Sequence, residues 1–160
     1  MSGAGITEKR MGAERWRVFL DTNVLIAGLA SRTGASAAIL DLGETEEILT
    51  ILSRQVLVEA DRVLLAKFPQ LLERYRAFMK NLAPILADDP KLALLQEARK
   101  VIDADDAPIL AAAKQEGVDY LVTLNTRHFH NPDVRAFLAR PVMTPAEFIT
   151  AFRQFWEQSE

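Results

Sequence analysis

The 160-residue chain is 49% hydrophobic, carries 22 acidic against 19 basic side chains for a formal net charge of −3, and contains no cysteine. Disulfides and thiolate metal sites are thereby excluded, and with two histidines a zinc site would need carboxylates for most of its ligands, so a hard, oxygen-liganded metal is the expectation. No global basic field exists, so a nucleic acid would have to be held by a local patch or through metal ions.

The length predicts one domain, here residues 16–160, with enough chain to bury a proper core. Residues 1–15 lack a sustained period and predict a flexible N-terminal tail. No apolar run reaches about 18 residues and no secretory signal opens the chain, so the expectation is a cytoplasmic protein with no membrane partner.

Val18, Phe19 and Leu20 form an apolar run without polar alternation, predicting a strand buried on both faces of a parallel sheet. Asp21 stands at its exit. Such an aspartate either faces the crevice where open α/β sheets bind ligands or, like Thr22, caps the next helix, and this segment alone leaves both readings open. Residues 24–29 predict a short helix ended near Ser31, Arg32, Thr33 and Gly34, and residues 35–42 a second one reaching Gly43, read as its C′ residue. A second strand is predicted over residues 47–52, with Ser53 as N-cap of the helix that follows. In that helix Val56, Leu57, Ala60, Val63, Leu64 and Phe68 recur at helical spacing until Pro69 breaks it. Residues 71–82 predict another amphipathic helix, residues 84–87 a third strand, and residues 88–99 a weaker helical stretch. Ile109, Leu110, Ala113 and Val118 predict a helix ending at Gly117, with Pro108 in its first turn. Residues 119–123 read as the next strand and residues 141–143 as a short last one. Thr144, Pro145 and Glu147 then start a C-terminal helix whose apolar face is Phe148, Ile149, Phe152, Phe155 and Trp156, a pattern of core or dimer packing. Strands alternating with helices predict an α/β fold with a central parallel sheet and right-handed crossovers.

Three regions place acids or amides where such a sheet would gather them: Asp21, the pair Asp105 and Asp106 at a helix start, and Asn125 after a strand. Glu59 lies about two turns into the helix that begins at Ser53. Each pair of like charges at ~4 Å costs roughly 4 kcal/mol at an effective dielectric near 20, so if these groups converge they need a cation or a retained proton. Magnesium or manganese suits carboxylates, an amide oxygen and water. A bound ion polarises a phosphoryl oxygen and lowers the pKa of a water, which is the chemistry of phosphodiester hydrolysis. Bland readings stand beside this one: Asp105 and Asp106 as helix-start residues, Glu59 as a solvated helix residue.

The stretches FLDTNVLIAG, the helix start from Ser53 to Glu59, DDAPILAAA from Asp105 and DYLVTLNTRHF from Asp119 resemble, in order and spacing, the successive motifs of PIN domains over about residues 17–150. That resemblance implies a single three-layer α/β/α PIN-like domain, magnesium- or manganese-dependent cleavage of RNA, and the toxin role in a toxin–antitoxin pair. A small antitoxin protein and a homodimer are the partners it implies besides the RNA substrate. The family's first three acids fall on Asp21, Glu59 and Asp106. Its fourth position, often aspartate, is Asn125 here, and an aspartate often found shortly after is replaced by His128. Losing a charge weakens metal binding although Asn125 still offers a carbonyl oxygen, so one ion is expected and a second is left open.

Asn23 and Thr123 are expected to orient the acids by hydrogen bonds, with Thr123 equally readable as a plain strand end. Asp103 is either an accessory acid or an exposed loop residue. Arg32, Arg127 and His128 are candidates for phosphate contacts or parts of a solvated face. Two other functions compete with the ribonuclease: a catalytically weak PIN-like module that binds RNA or protein, and a haloacid-dehalogenase-like phosphatase. The phosphatase needs a second aspartate two residues after the nucleophile as general acid, and Asn23 stands there.

Overall fold

The computed structural model describes residues 15–159, so the expected N-terminal tail lies, apart from Arg15, outside the described residues. Five strands form one parallel sheet: β1 (Arg17–Leu20), β2 (Leu49–Ser53), β3 (Ile85–Ala87), β4 (Tyr120–Val122) and β5 (Val142–Met143). Their order is β3-β2-β1-β4-β5, which puts the first strand in the centre. Phe19 stands in register with Ile51 on one side and Leu121 on the other. Val18, Phe19 and Leu20 are fully buried, as their unbroken apolar run predicts. Each such side chain contributes about 1.5–3 kcal/mol through the apolar surface it removes from water.

Nine helices flank the sheet among the described residues: α1 (Thr22–Ala30), α2 (Ala35–Glu44), α3 (Arg54–Lys67), α4 (Leu72–Leu82), α5 (Leu92–Ala98), α6 (Ala107–Glu116), α7 (Thr126–Phe129), α8 (Pro132–Leu138) and α9 (Pro145–Ser159). In one group α2 packs on α1, α4 and α9; in the other α6 packs on α5 and α8. Helix α3 touches both groups through α1 and α6. With the sheet between them, these groups make the three-layer α/β/α fold.

Local chemistry explains most boundaries. Ser53 caps α3 by accepting from Val56 N at 3.2 Å, and Pro69 ends that helix in a single 3₁₀ turn, Pro69–Leu71. Thr144 and Glu147 form a reciprocal capping box on α9, Thr144 N donating to Glu147 Oε1 at 2.8 Å and Glu147 N to Thr144 Oγ1 at 3.1 Å. Gly117 closes α6 at φ 70°, the left-handed conformation glycine adopts without penalty.

Gly43 departs from expectation. It lies inside α2, which runs on to Glu44, and a Cβ there would collide with Thr50 Oγ1 and come within 2.8 Å of Leu82 Cδ1. Close packing of α2 against β2 and α4, rather than a helix stop, is what requires a glycine. The turn falls at Glu46 (φ 62°), with Glu47 N donating to Leu42 O at 2.9 Å, so β2 begins at Leu49 rather than at 47.

Trp16 was not singled out by sequence, yet it ties the sheet to α9. Its ring centroid lies 4.7 Å from Tyr120, 4.8 Å from Phe155 and 5.6 Å from Phe152. Phe148 and Phe152 of α9 are buried, so the apolar face of that helix is core packing.

Candidate active site

Open parallel sheets leave a crevice at the carboxyl ends of their strands. Asp21 N still donates to Val122 O at 3.0 Å, so the backbone stays in the sheet ladder while the side chain leaves it. Asp21 is 4% exposed. Its Oδ1 accepts Thr22 N at 2.8 Å, and its Oδ2 accepts Thr123 Oγ1 at 2.7 Å and Asn23 Nδ2 at 3.3 Å. Both sequence readings of Asp21 therefore hold: it caps α1, and it is an acid in the crevice. Burial pushes its pKa above the ordinary carboxylate value; the bonds from Thr123 and Thr22 pull it back, and the charges of Glu59 and Asp106 push it up again.

Thr123 is fully buried, and its hydroxyl accepts Asn125 N at 2.9 Å, leaving its one proton for Asp21. Asn23 Oδ1 accepts Leu124 N at 3.0 Å. Together Asn23 and Thr123 brace the start of α1 against the loop after β4, and both donate to Asp21.

Glu59 sits in the second turn of α3, half-buried. Its Oε2 accepts Thr22 Oγ1 at 3.0 Å and its Oε1 accepts Gln55 Nε2 at 3.2 Å, so both oxygens are held. Thr22 thus serves two acids, through its backbone N–H and its hydroxyl. Sequence reasoning gave Thr22 only a capping role and passed over Gln55. The i, i+4 spacing of Gln55 and Glu59 was a readable signal for the second, whereas nothing local marks a bond across 37 residues.

Asp106 occupies the N-cap position of α6 but makes no side-chain cap bond there. Its Oδ2 instead lies 2.8 Å from His128 Nδ1. His128 Nε2 is 3.6 Å from Asp103 Oδ2, and Asn125 Nδ2 is 3.3 Å from Nδ1. Nδ1 carries either a proton or a lone pair, so it serves Asp106 or the amide, and the shorter, charge-assisted contact to Asp106 prevails. The Asn125 side chain meets this imidazole rather than an acid, while its backbone N–H reaches Asp21 through the Thr123 hydroxyl.

The remaining candidates make no side-chain bond to the acids among the described residues. Asp105 is exposed and makes no hydrogen bond or ion pair among the described residues. Arg127 is exposed on α7 without an ion pair among those residues. Arg32 follows the far end of α1, about 13 Å along the helix axis from Thr22, beside Arg74 and Phe78 rather than the acids.

The arrangement fits a hard divalent cation. The Asp21 carboxyl feels the charges of Glu59 and Asp106, Asp21 and Glu59 are each anchored through both oxygens, and oxygen donors of this kind suit magnesium or manganese. Among the described residues, the ligand atoms that come within 4.8 Å of one another as a group of three are those of Asp103, Asp106 and His128. Among the described residues no single helix is long and apolar enough to cross a membrane.

No curated protein matches the sequence. Among solved structures, VapBC2 from Rickettsia felis bound to a DNA fragment from their promoter is similar with a TM-score of 0.61 at 20% identity, over 80% of this chain and 98% of that one. FitAcB from Neisseria gonorrhoeae is similar with a TM-score of 0.57 at 23% identity, over 80% of this chain and 97% of that one. At such identities the likeness is one of fold. The sequence match goes further: the PIN-domain profile aligns with residues 17–127, a span that holds Asp21, Glu59, Asp106 and Asn125 and ends one residue before His128. By sequence profile and by fold alike, the chain belongs to the PIN-domain family.

Proposed function

We propose that this chain is a metal-dependent ribonuclease in which Asp21, Glu59 and Asp106 hold magnesium or manganese and Asn125 assists. The observation that carries the reading is the buried Asp21 carboxylate, fixed by three donors and pressed by the charges of Glu59 and Asp106. An ion bound there would polarise the scissile phosphoryl oxygen and lower the pKa of the attacking water. Thr22 N, Thr123 and Asn23 orient Asp21 before substrate arrives. Thr22 Oγ1 and Gln55 aim the half-exposed Glu59 carboxylate, which would orient the attacking water. Arg127, exposed on α7 beside His128 in the chain, contacts a backbone phosphate, whereas Arg32 follows the far end of α1, a helix length from Thr22.

The toxin role rests on the family resemblance and on the likeness of fold to VapBC2 and FitAcB. A small antitoxin, a homodimer and a cytoplasmic setting belong to the same reading. Growth arrest on expression, relieved by a small neighbouring reading frame, is the expected result; harmless expression of an active nuclease removes the toxin role.

The catalytically weak module keeps one supporting observation. Asn125 contributes no charge, and Asp106 is already engaged by His128. The haloacid-dehalogenase-like phosphatase has none, because the amide of Asn23 donates to Asp21 and has no carboxylic proton to give.

One variant separates the readings. Asp21→Asn should retain the parent's circular dichroism and lose manganese-stimulated cleavage of a mixed RNA pool by more than the ~10–100-fold typical of removing an outer hydrogen-bond partner. Undiminished cleavage by the folded variant would falsify the assignment, and a parent that binds RNA without any cleavage favours the binding module.

A further inference from the structure

His128 lies between two carboxylates. Its Nδ1 is 2.8 Å from Asp106 Oδ2, and its Nε2 is 3.6 Å from Asp103 Oδ2. One ligand atom from each of Asp103, Asp106 and His128 falls within 4.8 Å of the others. The backbone holds this arrangement from two sides. Asp103 O accepts Asp106 N and Ala107 N, each at 3.0 Å, which closes the turn before α6. On the other side the fully buried Phe129 anchors α7, and its N–H donates to Asn125 O at 3.1 Å.

Two features of the geometry are those of a metal-binding histidine. Adjacent donors on an octahedral ion with bonds of about 2.0–2.1 Å stand about 3 Å apart, and Nδ1 and Asp106 Oδ2 are already at that spacing. Metal-ligating histidines also give their other ring proton to a carboxylate, carbonyl or water, which fixes the tautomer. Asp103 is the carboxylate facing that second nitrogen. For Nδ1 to ligate, the ring proton that serves Asp106 in the metal-free chain moves to Nε2, and the neutral Asn125 amide, 3.3 Å from Nδ1, turns aside.

We propose that His128 Nδ1 and Asp106 Oδ2 are adjacent ligands of the site's ion, with Asp103 holding the Nε2 proton, and that this nitrogen makes the chain select manganese over magnesium. The inference rests on the metal-dependent reading above and deepens it. Magnesium dehydrates reluctantly and favours oxygen donors; imidazole suits the first-row transition ions, whose affinity for mixed nitrogen and oxygen sites rises from manganese onward. Asp103 is a positioning residue in this scheme.

The test is pulsed electron paramagnetic resonance on the RNA-free chain loaded with manganese chloride, paired with calorimetric titration of manganese and magnesium chlorides. The sequence has two histidines, and His130 Nε2 lies 3.9 Å from Glu147 Oε1, away from this cluster, so His130→Gln is the control. A nitrogen-14 coupling to bound manganese is expected in the parent and in His130→Gln, and none in His128→Asp. The manganese-to-magnesium affinity ratio should fall at least about tenfold in His128→Asp. Manganese bound to the parent without nitrogen coupling, or a ratio unchanged in His128→Asp, overturns the inference and leaves the metal-dependent ribonuclease standing. A parent that binds no manganese overturns both.

Discussion

The two sides of the acid cluster are built from different material. Asp21 and Thr123 sit at strand ends, 4% and 0% exposed, and they bond to each other and to Thr22, Asn23 and Asn125, residues that follow directly on the central strands. Asp103 and His128 sit on a turn and a one-turn helix, with 69% and 39% of their side-chain surfaces exposed. On the buried side the ligand geometry is set by folding, before any ion or RNA arrives. On the open side the backbone is held in the same way, but the exposed side chains of Asp103 and His128 keep water as an alternative partner. Under the proposed function, such a division would let the site hold a cation on its buried side and admit RNA from its open side.

Removing the buried brace should have the largest effect. Thr123→Val takes the donor from Asp21 and the acceptor from Asn125 N, leaving buried groups unpaired at a cost of about 1–3 kcal/mol. Cleavage should drop ~10–100-fold, with Thr123→Ser restoring both stability and rate. Urea midpoints and turnover on the same preparations decide it. A valine variant that matches the parent would dissolve the distinction between the two sides.

A smaller effect depends on pH. Because burial, with Glu59 and Asp106 behind it, raises the pKa of Asp21, the folded chain binds that proton more tightly than the unfolded chain. The resulting stabilisation is complete below the ordinary carboxylate range and is lost as pH rises through the raised folded value. Manganese needs the proton gone. A fixed manganese concentration should therefore raise the melting temperature more at neutral pH than in acid, and a rise that stays equal as the pH is lowered would place the ion away from Asp21.

The smallest effect belongs to the open side. Asp103→Asn in the metal-free protein should change stability by no more than about 0.5 kcal/mol, because an exposed ion pair contributes little. A loss above about 1 kcal/mol in a urea titration would mean that Asp103 is as much a part of the fold as Thr123.

The elements legible in the sequence were those whose signal is local. Buried strands announce themselves as apolar runs, and Ser53, Pro69, Gly117 and the Thr144–Glu147 box mark ends by their own chemistry. Helices α7 and α8 went unread because four and seven residues are too few to show a period, and it is the burial of Phe129, Val134 and Leu138 that holds them. Gly43 was read as a stop because glycine usually is one; its neighbours Thr50 and Leu82 come from distant chain. The acids were legible through the spacing of their motifs. What joins them was not: the bonds of Thr22 to Glu59, His128 to Asp106 and Thr123 to Asp21 span 37, 22 and 102 residues.

The last of those spans has a consequence in time. The central strand β1 is also the first to be synthesised, and Asp21 leaves the ribosome 102 residues before Thr123. At 5–20 residues per second that interval is on the order of 5–20 s. Throughout it β4 does not exist, Asp21 lacks its shortest hydrogen bond, and the loop that carries Asn125 and His128 has yet to be made. A nascent chain is therefore without its candidate active site until β4 and the loop after it have been made, and the order of the strands sets that delay.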